Sequence, residues 1–261
     1  MPSHLLSTRI SKLSVTYWTK LKNSDIDLRR SFDRAAILSP EISARALNVP
    51  VCTESARIES AAQYLRSPQK RMLDLSGALA LLTLLLPLLT LVALSIRVTS
   101  KGPILFRQTR CGALGRPFTI YKFRSMYHAL DQAGPVVQAK RADPRVTPVG
   151  AFIRRTSIDE LPQLLNVVQG HMSLVGPRPH AVSHDTYYGE RIPLYGERFN
   201  ARPGLSGLAQ VSGARGETPL LSDMERRIEL DLTYIRRASL VTDIRLIGGT
   251  VREMLFSTAA Y

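Results

Sequence analysis

The chain has 261 residues and a formal net charge of +14 at pH 7. This length accommodates one modest globular core with extensions and excludes several full domains. The positive charge favours polyanionic partners, whether nucleic acid, acidic lipid or phosphorylated substrate, without selecting among them. Cys52 and Cys111 lack metal-ligand spacing and suggest no disulfide framework, which fits a reducing, cytosol-facing location.

The first 66 residues form a basic segment of mixed character. Apolar residues recur there at helical spacing with lysines and arginines among them, which is typical of an interfacial helix. These apolar residues are Leu6, Ile10, Leu13, Tyr17 and Leu21. A mobile polar extension is the equal alternative, and the stretch around Pro40 and Pro50 is typical of a linker. We therefore expect residues 1–66 to be a basic N-terminal extension, partly amphipathic or disordered.

An uncharged apolar run from Leu75 to Ile96 is the clearest segment of the chain. As a straight helix it is roughly 33 Å long, enough to cross a bilayer core of about 30 Å. Pro87 lies near its middle, where the missing N–H and the ring favour a kink. Basic residues flank both ends, so the positive-inside rule gives no polarity. Two geometries stay open: a single span, or a re-entrant helix–break–helix over residues 67–98 that enters and leaves on one face.

The segment after this run predicts a β-hairpin. Ile104 to Gln108 and Phe118 to Phe123 have strand composition. Gly112, Gly115 and Pro117 lie between them and provide the turn.

Two helices are predicted around the acidic pair Asp159 and Glu160. Thr147-Pro148 is a good N-cap and first position for the earlier helix. The later helix is expected to begin with Asp159 as its N-cap, because Pro162 then falls in the first turn, where no N–H is needed. The pair would then lie at the positive end of a helix, which favours ionised carboxylates and nearby anions.

A C-terminal helix is predicted from apolar residues at helical spacing, with arginines around them. These apolar residues are Leu240, Ile244, Ile247, Val251 and Leu255. A core-facing helix is favoured over one that lies on lipid, although Gly248-Gly249 weakens it.

A basic surface is predicted beside the acidic pair. Residues 101–155 contain eleven lysines and arginines against two acids. Arg154 and Arg155 directly precede the pair, and Arg178 follows it between two prolines that restrict the backbone. The stretch marks a phosphate-binding surface, a face that rests on acidic lipid, or both. A rigid turn with a solvated arginine is the alternative for Arg178.

Four long motifs in order resemble the bacterial sugar transferase family: KRMLDL, FRQTRCGALGRPFTIYKFRSM, DPRVTPVGAFIRRTSIDELPQLLNVVQGHMSLVGPRP and ARPGLSGLAQVSG. The resemblance covers about Pro68 to the C-terminus. It implies an α+β fold, a mainly helical membrane-associated domain with a small β-hairpin and a re-entrant membrane helix kinked at Pro87. Residues 99–261 would form a catalytic domain on the cytoplasmic face of the bacterial inner membrane.

The resemblance also assigns roles to individual residues. It implies that Asp159 is the nucleophile and that Glu160 binds Mg²⁺. Arg154 and Arg178 match family arginines that contact phosphate. The chemistry is reasonable for these residue types, since a carboxylate attacks a diphosphate only when cations neutralise the phosphate oxygens.

The implied activity is the first membrane step of exopolysaccharide or related glycan synthesis. Sugar-1-phosphate passes from a UDP-sugar to undecaprenyl phosphate through an aspartyl-phosphosugar, with release of UMP. The expected partners are these two substrates and the lipid bilayer, and not nucleic acid. UDP-glucose and UDP-galactose are the candidate donors, and the sequence does not predict an oligomeric state. The rival classes are a membrane-attached, non-enzymatic binder of nucleic acid or acidic lipid, and a glycosyltransferase that releases UDP.

Overall fold

A computed structural model of the chain describes residues 51–127, 143–216 and 218–256. The predicted interfacial helix near the N-terminus lies outside these residues. The helices are α1 (Val51–Arg66), α2 (Pro68–Thr99), α3 (Pro148–Arg155), α4 (Gln163–Val168), α5 (Val182–Gly189), α6 (Leu208–Val211), α7 (Leu221–Arg237) and α8 (Leu240–Phe256). The strands are β1 (Leu105–Cys111), β2 (Pro117–Phe123), β3 (Ser173–Val175) and β4 (Gly204–Ser206).

Helix α1 packs against the rest of the described domain, although the sequence placed it in the extension. Ala61 is buried in the main core. The Tyr64 hydroxyl donates a hydrogen bond of 2.8 Å to Oδ2 of Asp243 in α8. The expected boundary at residue 66 therefore corresponds only to the short step between α1 and α2.

Helix α2 contains the whole apolar run. Ser67 caps it by accepting from the backbone N–H of Lys70, and Pro68 stands at its first position, where no N–H is needed. The helix continues through Pro87, so the predicted break is not present in the secondary structure. By length and composition α2 is apolar enough to cross a membrane, and its side chains are largely exposed. The re-entrant geometry stays a prediction.

The predicted hairpin is confirmed, with longer strands than expected. β1 and β2 pair antiparallel, with Phe106 opposite Lys122 and Cys111 opposite Pro117. The connecting turn includes Gly115 at φ 68°, a left-handed conformation that glycine adopts without a steric penalty. The hairpin projects Lys122 toward the part of the chain that follows α3.

A second sheet of two parallel strands was not predicted. β3 pairs with β4, and the loops that adjoin them lie in very close contact. A Cβ at Gly176 would lie 2.3 Å from the carbonyl oxygen of Arg202, and one at Gly204 would lie 2.1 Å from the backbone nitrogen of Gly176. The GPRP and ARPG motifs therefore meet backbone to backbone, which only glycine permits.

The main core joins α1, α2, β2, α4, β3, α7 and α8. Its buried side chains include Ala78, Ile120, Leu164, Val167, Val175 and Leu246. The described residues are mostly helical with two small sheets, as expected of a mainly helical α+β domain.

Helix α8 is continuous through Gly248-Gly249, and of the predicted apolar residues Ile247 packs against the main core. Leu240, Ile244 and Val251 are exposed, whereas Asp243 and Leu246 are buried. The apolar pattern did not predict the buried face of α8, because the most buried position on that face is the carboxylate of Asp243. Asp243 is satisfied there by Lys70 and by tyrosine hydroxyls, so its burial is tolerated.

Candidate active site

The acidic pair lies in a tight turn between α3 and α4. Helix α3 begins as predicted, with Thr147 accepting from the backbone N–H of Gly150 at 2.9 Å. After α3, Ser157 takes a left-handed conformation at φ 58° and reverses the chain. Ile158–Glu160 then form one 3₁₀ turn.

The prediction that Asp159 caps the following helix is wrong. Helix α4 begins at Gln163, and Pro162 occupies the position before it. The intervening residues bond at i to i+3 spacing, as in the 3.2 Å bond from Leu161 N–H to Ile158 O. Pro162 has no backbone N–H and therefore could not donate an α-helical hydrogen bond to Ile158. The chain forms a 3₁₀ turn here without losing a hydrogen bond. The pair precedes α4 without capping it.

Glu160 is held between two cations. Lys122 Nζ lies 2.7 Å from Oε1 of Glu160. Arg178 meets the same carboxylate with both guanidinium nitrogens, Nη1 donating to Oε2 at 2.9 Å and Nη2 donating to Oε1. Such a fork is among the stronger and more directional ion pairs in proteins. It fixes the plane of the Glu160 carboxylate.

The two carboxyls have pKa values shifted in opposite directions. Burial alone would raise the pKa of Glu160, but Arg178 and Lys122 outweigh it and hold this pKa well below its usual range. Burial, followed by the charge of Glu160, raises the pKa of Asp159 to about 6 against the opposing pull of the nearby cations. Opposed shifts in neighbouring acids are typical of groups with separate catalytic tasks.

The predicted arginines differ in their relation to the pair. Arg178 contacts Glu160 directly. Arg154 is close enough to lower the pKa of Asp159, as Lys122 and Arg178 also do. Arg155 is exposed at the end of α3. The structure thus brings Arg154 and Arg178 to the pair and leaves Arg155 at the surface.

Lys122 was not predicted as a site residue, although the motif that contains it was recognised. Its segment reads as an apolar strand, and β2 indeed buries Ile120 and Phe123. A lysine within an apolar strand indicates an ion pair with an acidic residue elsewhere in the chain, since a half-buried charge needs a partner. Arg124, two residues later, gives the same signal and donates to Ser100 O at 2.8 Å, which fastens the end of α2 to the hairpin.

The donor set of the site is suited to Mg²⁺ only together with substrate. Among the described residues, no three or more His, Cys, Asp or Glu side chains are grouped as a metal site. Asp159 and Glu160 offer hard oxygens, and one or two carboxylates with substrate phosphate oxygens are a usual magnesium shell. Glu160 would share its oxygens with Arg178 and Lys122. The residues therefore fit a metal that arrives with a diphosphate.

The sequence is also similar to known proteins. A family model described as bacterial sugar transferase matches residues 65–257, most of the chain. This chain belongs to the bacterial sugar transferase family. The match begins within α1 and ends at the close of α8, so nearly all of the described domain of this sugar transferase lies inside it.

The sugar transferase is similar to several relatives whose names describe a transferase acting on undecaprenyl phosphate. It is 53% identical over 193 residues to a UDP-glucose:undecaprenyl-phosphate glucose-1-phosphate transferase of Caulobacter vibrioides, covering 74% of this chain and 72% of that protein. It is 48% identical over 192 residues to a protein of the same name from Escherichia coli, covering 74% of this chain but 41% of the relative. A UDP-N-acetylgalactosamine-undecaprenyl-phosphate N-acetylgalactosaminephosphotransferase of Aeromonas hydrophila is 41% identical over 186 residues, 71% of this chain and 43% of that protein.

Proposed function

We propose that this protein transfers glucose-1-phosphate from UDP-glucose to undecaprenyl phosphate and releases UMP. The chain is an enzyme of the undecaprenyl-phosphate sugar phosphotransferase type, as relatives about half identical to it are named. The observation that carries the mechanism is Glu160 clamped by Arg178 and Lys122 beside Asp159. Glucose is preferred over galactose because the relatives at 53% and 48% identity are both named as UDP-glucose transferases.

In the proposed mechanism Asp159 is the nucleophile. A carboxylate oxygen of Asp159 attacks the phosphorus that bears the sugar, and the bond from that phosphorus to the UMP oxygen breaks. A phosphate oxygen of undecaprenyl phosphate then attacks the aspartyl-phosphosugar and expels the carboxylate. Arg154 and Arg178 would bind phosphate oxygens, and their positive charge supports attack by one anion on another. Arg155 would contribute only at the rim, since it is exposed.

Glu160 is the residue proposed to hold Mg²⁺ at this site. The ion would neutralise charge on the donor diphosphate as it binds. The pKa of Glu160 is held well below its usual range, so this carboxylate is ionised at any physiological pH. The cations Arg178 and Lys122 fix the orientation of that carboxylate.

Contacts at both ends of α2 support a re-entrant helix, and we propose that the active site lies on the cytoplasmic face. Near its start, Lys70 Nζ lies 2.7 Å from Oδ2 of Asp243 in α8. Near its end, Ile96 is buried against Phe123 and Ile153. A helix whose two ends contact one domain is expected to have both ends on one side of the bilayer. UDP-glucose and the lipid phosphate meet on that side.

The nucleotide released by purified enzyme tests the function. We expect UMP from UDP-glucose and undecaprenyl phosphate, with activity lost in EDTA and restored by Mg²⁺. Release of UDP would identify a glycosyltransferase, and binding of polyanions without turnover would identify a binding protein.

The covalent step is tested separately. Enzyme given labelled UDP-glucose alone is expected to carry labelled phosphosugar, which Asp159→Asn abolishes. Glu190→Gln is the control, because Glu190 is exposed and lies outside the site. Full activity of Asp159→Asn would refute the assignment of the nucleophile.

A further inference from the structure

The backbone of Arg178 is fixed by a second arginine that does not reach the acidic pair. Nη2 of Arg198 donates to the carbonyl oxygen of Arg178 at 2.5 Å. The same nitrogen donates to Oδ2 of Asp231 in α7 at 3.0 Å. The side chains of Arg198 and Asp231 are 3% and 2% exposed, so this ion pair is inside the protein, where breaking it would leave an unpaired buried charge.

Arg198 is held on its other side by His180, by Tyr195 and by the carboxylate of Asp185, whose Oδ1 lies 3.6 Å from Nη1 of Arg198. Its Nη1 donates to Nδ1 of His180 at 2.7 Å and to the Tyr195 hydroxyl at 3.1 Å. The Tyr195 hydroxyl in turn donates to Oδ1 of Asp185 at 2.8 Å. Because burial and nearby arginines hold the pKa of His180 well below its usual range, this imidazole is neutral and accepts from Arg198. The guanidinium of Arg198 therefore has a fixed position.

Helix α7 fixes the chain before Arg178 as well. Tyr234, one turn after Asp231, donates to the carbonyl oxygen of Val175 at 3.0 Å. Lys70 Nζ donates to the same carbonyl at 3.1 Å. Gly176 stands between the two held carbonyls and packs against β4. The segment from Val175 to Arg178 is thus clamped at each end by a side chain anchored to α7.

We propose that Arg198 and Asp231 are positioning residues for the transfer reaction, acting through Arg178. Arg178 grips Glu160 with a two-nitrogen fork, and such a fork tolerates little displacement. Its backbone must therefore be held, and Arg198 holds it by donating to the Arg178 carbonyl oxygen. Loss of the Arg198–Asp231 pair releases the turn, tilts the Arg178 fork and misorients Glu160. The inference rests on the proposed function, since it supplies orientation for that chemistry.

Asp231→Asn and Arg198→Lys test the proposal. The amide keeps the shape of Asp231 but loses its charge. The lysine keeps the charge of Arg198 but loses the guanidinium, whose Nη2 contacts Asp231 and Arg178 while its Nη1 contacts His180 and Tyr195. We expect kcat per folded enzyme to fall roughly 10- to 100-fold in each, with KM for UDP-glucose within about threefold, as for supporting groups behind a reactive site. Melting curves give the folded fraction, so a merely structural defect lowers that fraction and leaves the rate per folded molecule unchanged. If one of the two variants does not fold, the other variant decides the test.

A double-mutant cycle identifies the residue through which the pair acts. In an Arg178→Lys background, measured by single turnover with labelled donor, Asp231→Asn is expected to cost less than about threefold further, because the fork is already lost. Independent, multiplying losses would overturn the proposal, as would a folded variant with kcat within about twofold of the wild type.

Glu197→Gln is the matched control. Glu197 adjoins Arg198 and pairs with Arg236 of α7 at 3.4 Å, but that pair is exposed at the surface. Its kcat is expected to be unchanged. The wild type is assayed in parallel, and failure of the wild type to release UMP would contradict the proposed function, whereas unchanged variants of an active wild type would contradict only this inference.

Discussion

Asp159 and Glu160 are neighbours in sequence but experience different electrostatic surroundings. Glu160 has two direct cationic partners, Lys122 and Arg178. At Asp159 the same cations and Arg154 lower the pKa, but burial and the negative charge of Glu160 outweigh them. Burial therefore dominates at Asp159 and is overcome at Glu160. One carboxylate is kept permanently charged, while its neighbour is poised close to neutral pH.

Lys122→Met is expected to lower kcat about 100-fold, because Glu160 loses one of its two cations and the donor phosphates lose a neighbouring positive charge. Steady-state release of UMP measures the effect. Arg107→Met is the control, since Arg107 is an exposed cation of the same hairpin. Equal activity in the Lys122 and Arg107 variants would remove Lys122 from the site.

The rate of phosphosugar transfer to Asp159 is expected to fall below about pH 6. The pKa of Asp159 is raised to about 6, so the protonated, non-nucleophilic form accumulates as pH drops through that value. Single-turnover labelling between pH 5 and 8 measures this. In Lys122→Met the midpoint should move to higher pH, because Lys122 lowers the pKa of Asp159. A flat profile across this range would contradict the role of Asp159.

At the scale of elements, the parallel pair of β3 and β4 joins two motifs that the sequence presents as separate loops. The approach of Gly176 and Gly204 leaves no space for a side chain at either position. This contact fixes the chain between the end of β3 at Val175 and Arg178. The glycines are thus required by packing in a region where function also demands a fixed geometry.

Gly204→Ala is expected to destabilise the protein by about 1–3 kcal/mol, because the added Cβ would lie 2.1 Å from the Gly176 nitrogen. Thermal unfolding in detergent micelles should show a fall in Tm of several degrees. Gly196→Ala is the matched control: a Cβ there meets nothing within 4 Å, and its change should stay within about 0.5 kcal/mol. A stable Gly204→Ala protein would mean that the two motifs can separate.

The elements that were predicted from the sequence differ from those that were not in whether their signals are local. Thr147-Pro148 and the hairpin turn are local signals, and both were predicted. The strands β3 and β4 have three residues each and pair across a long sequence separation. They are too short to show the alternating apolar pattern that predicts a strand. Lys122 reaches Glu160 across 38 residues. The motif series predicted the acidic pair and Arg178, whereas residues that act through tertiary contact, such as Arg198, required the structure.

For the whole molecule, the main question is how the domain sits at a membrane. Helix α2 presents exposed apolar side chains along much of its length. Its first turns and its last turns nevertheless pack into the main core and against the hairpin, respectively. Since one folded domain cannot lie on both faces of a bilayer, these contacts favour entry and exit on the same face.

Cysteine labelling tests this arrangement. In a protein with Cys52 and Cys111 replaced, Gln69→Cys and Lys101→Cys place single thiols at exposed positions just inside and just beyond the two ends of α2. A membrane-impermeant maleimide is expected to label both in inverted vesicles and neither in intact spheroplasts. Labelling of one from each side would establish a single span and remove the re-entrant proposal.

The buried contacts of α2 also bear on how the enzyme can be handled. Lys70 and Asp74 are almost fully inaccessible, and Lys70 supplies the positive charge beside Asp243. Arg71 donates to the carbonyl oxygens of Val167 and Val168 at 2.6 and 2.7 Å, which closes the end of α4. Deleting α2 to obtain a water-soluble enzyme would strand the Asp243 carboxylate inside the protein and unfasten α4. A soluble form must therefore keep α2 and replace only its exposed leucines.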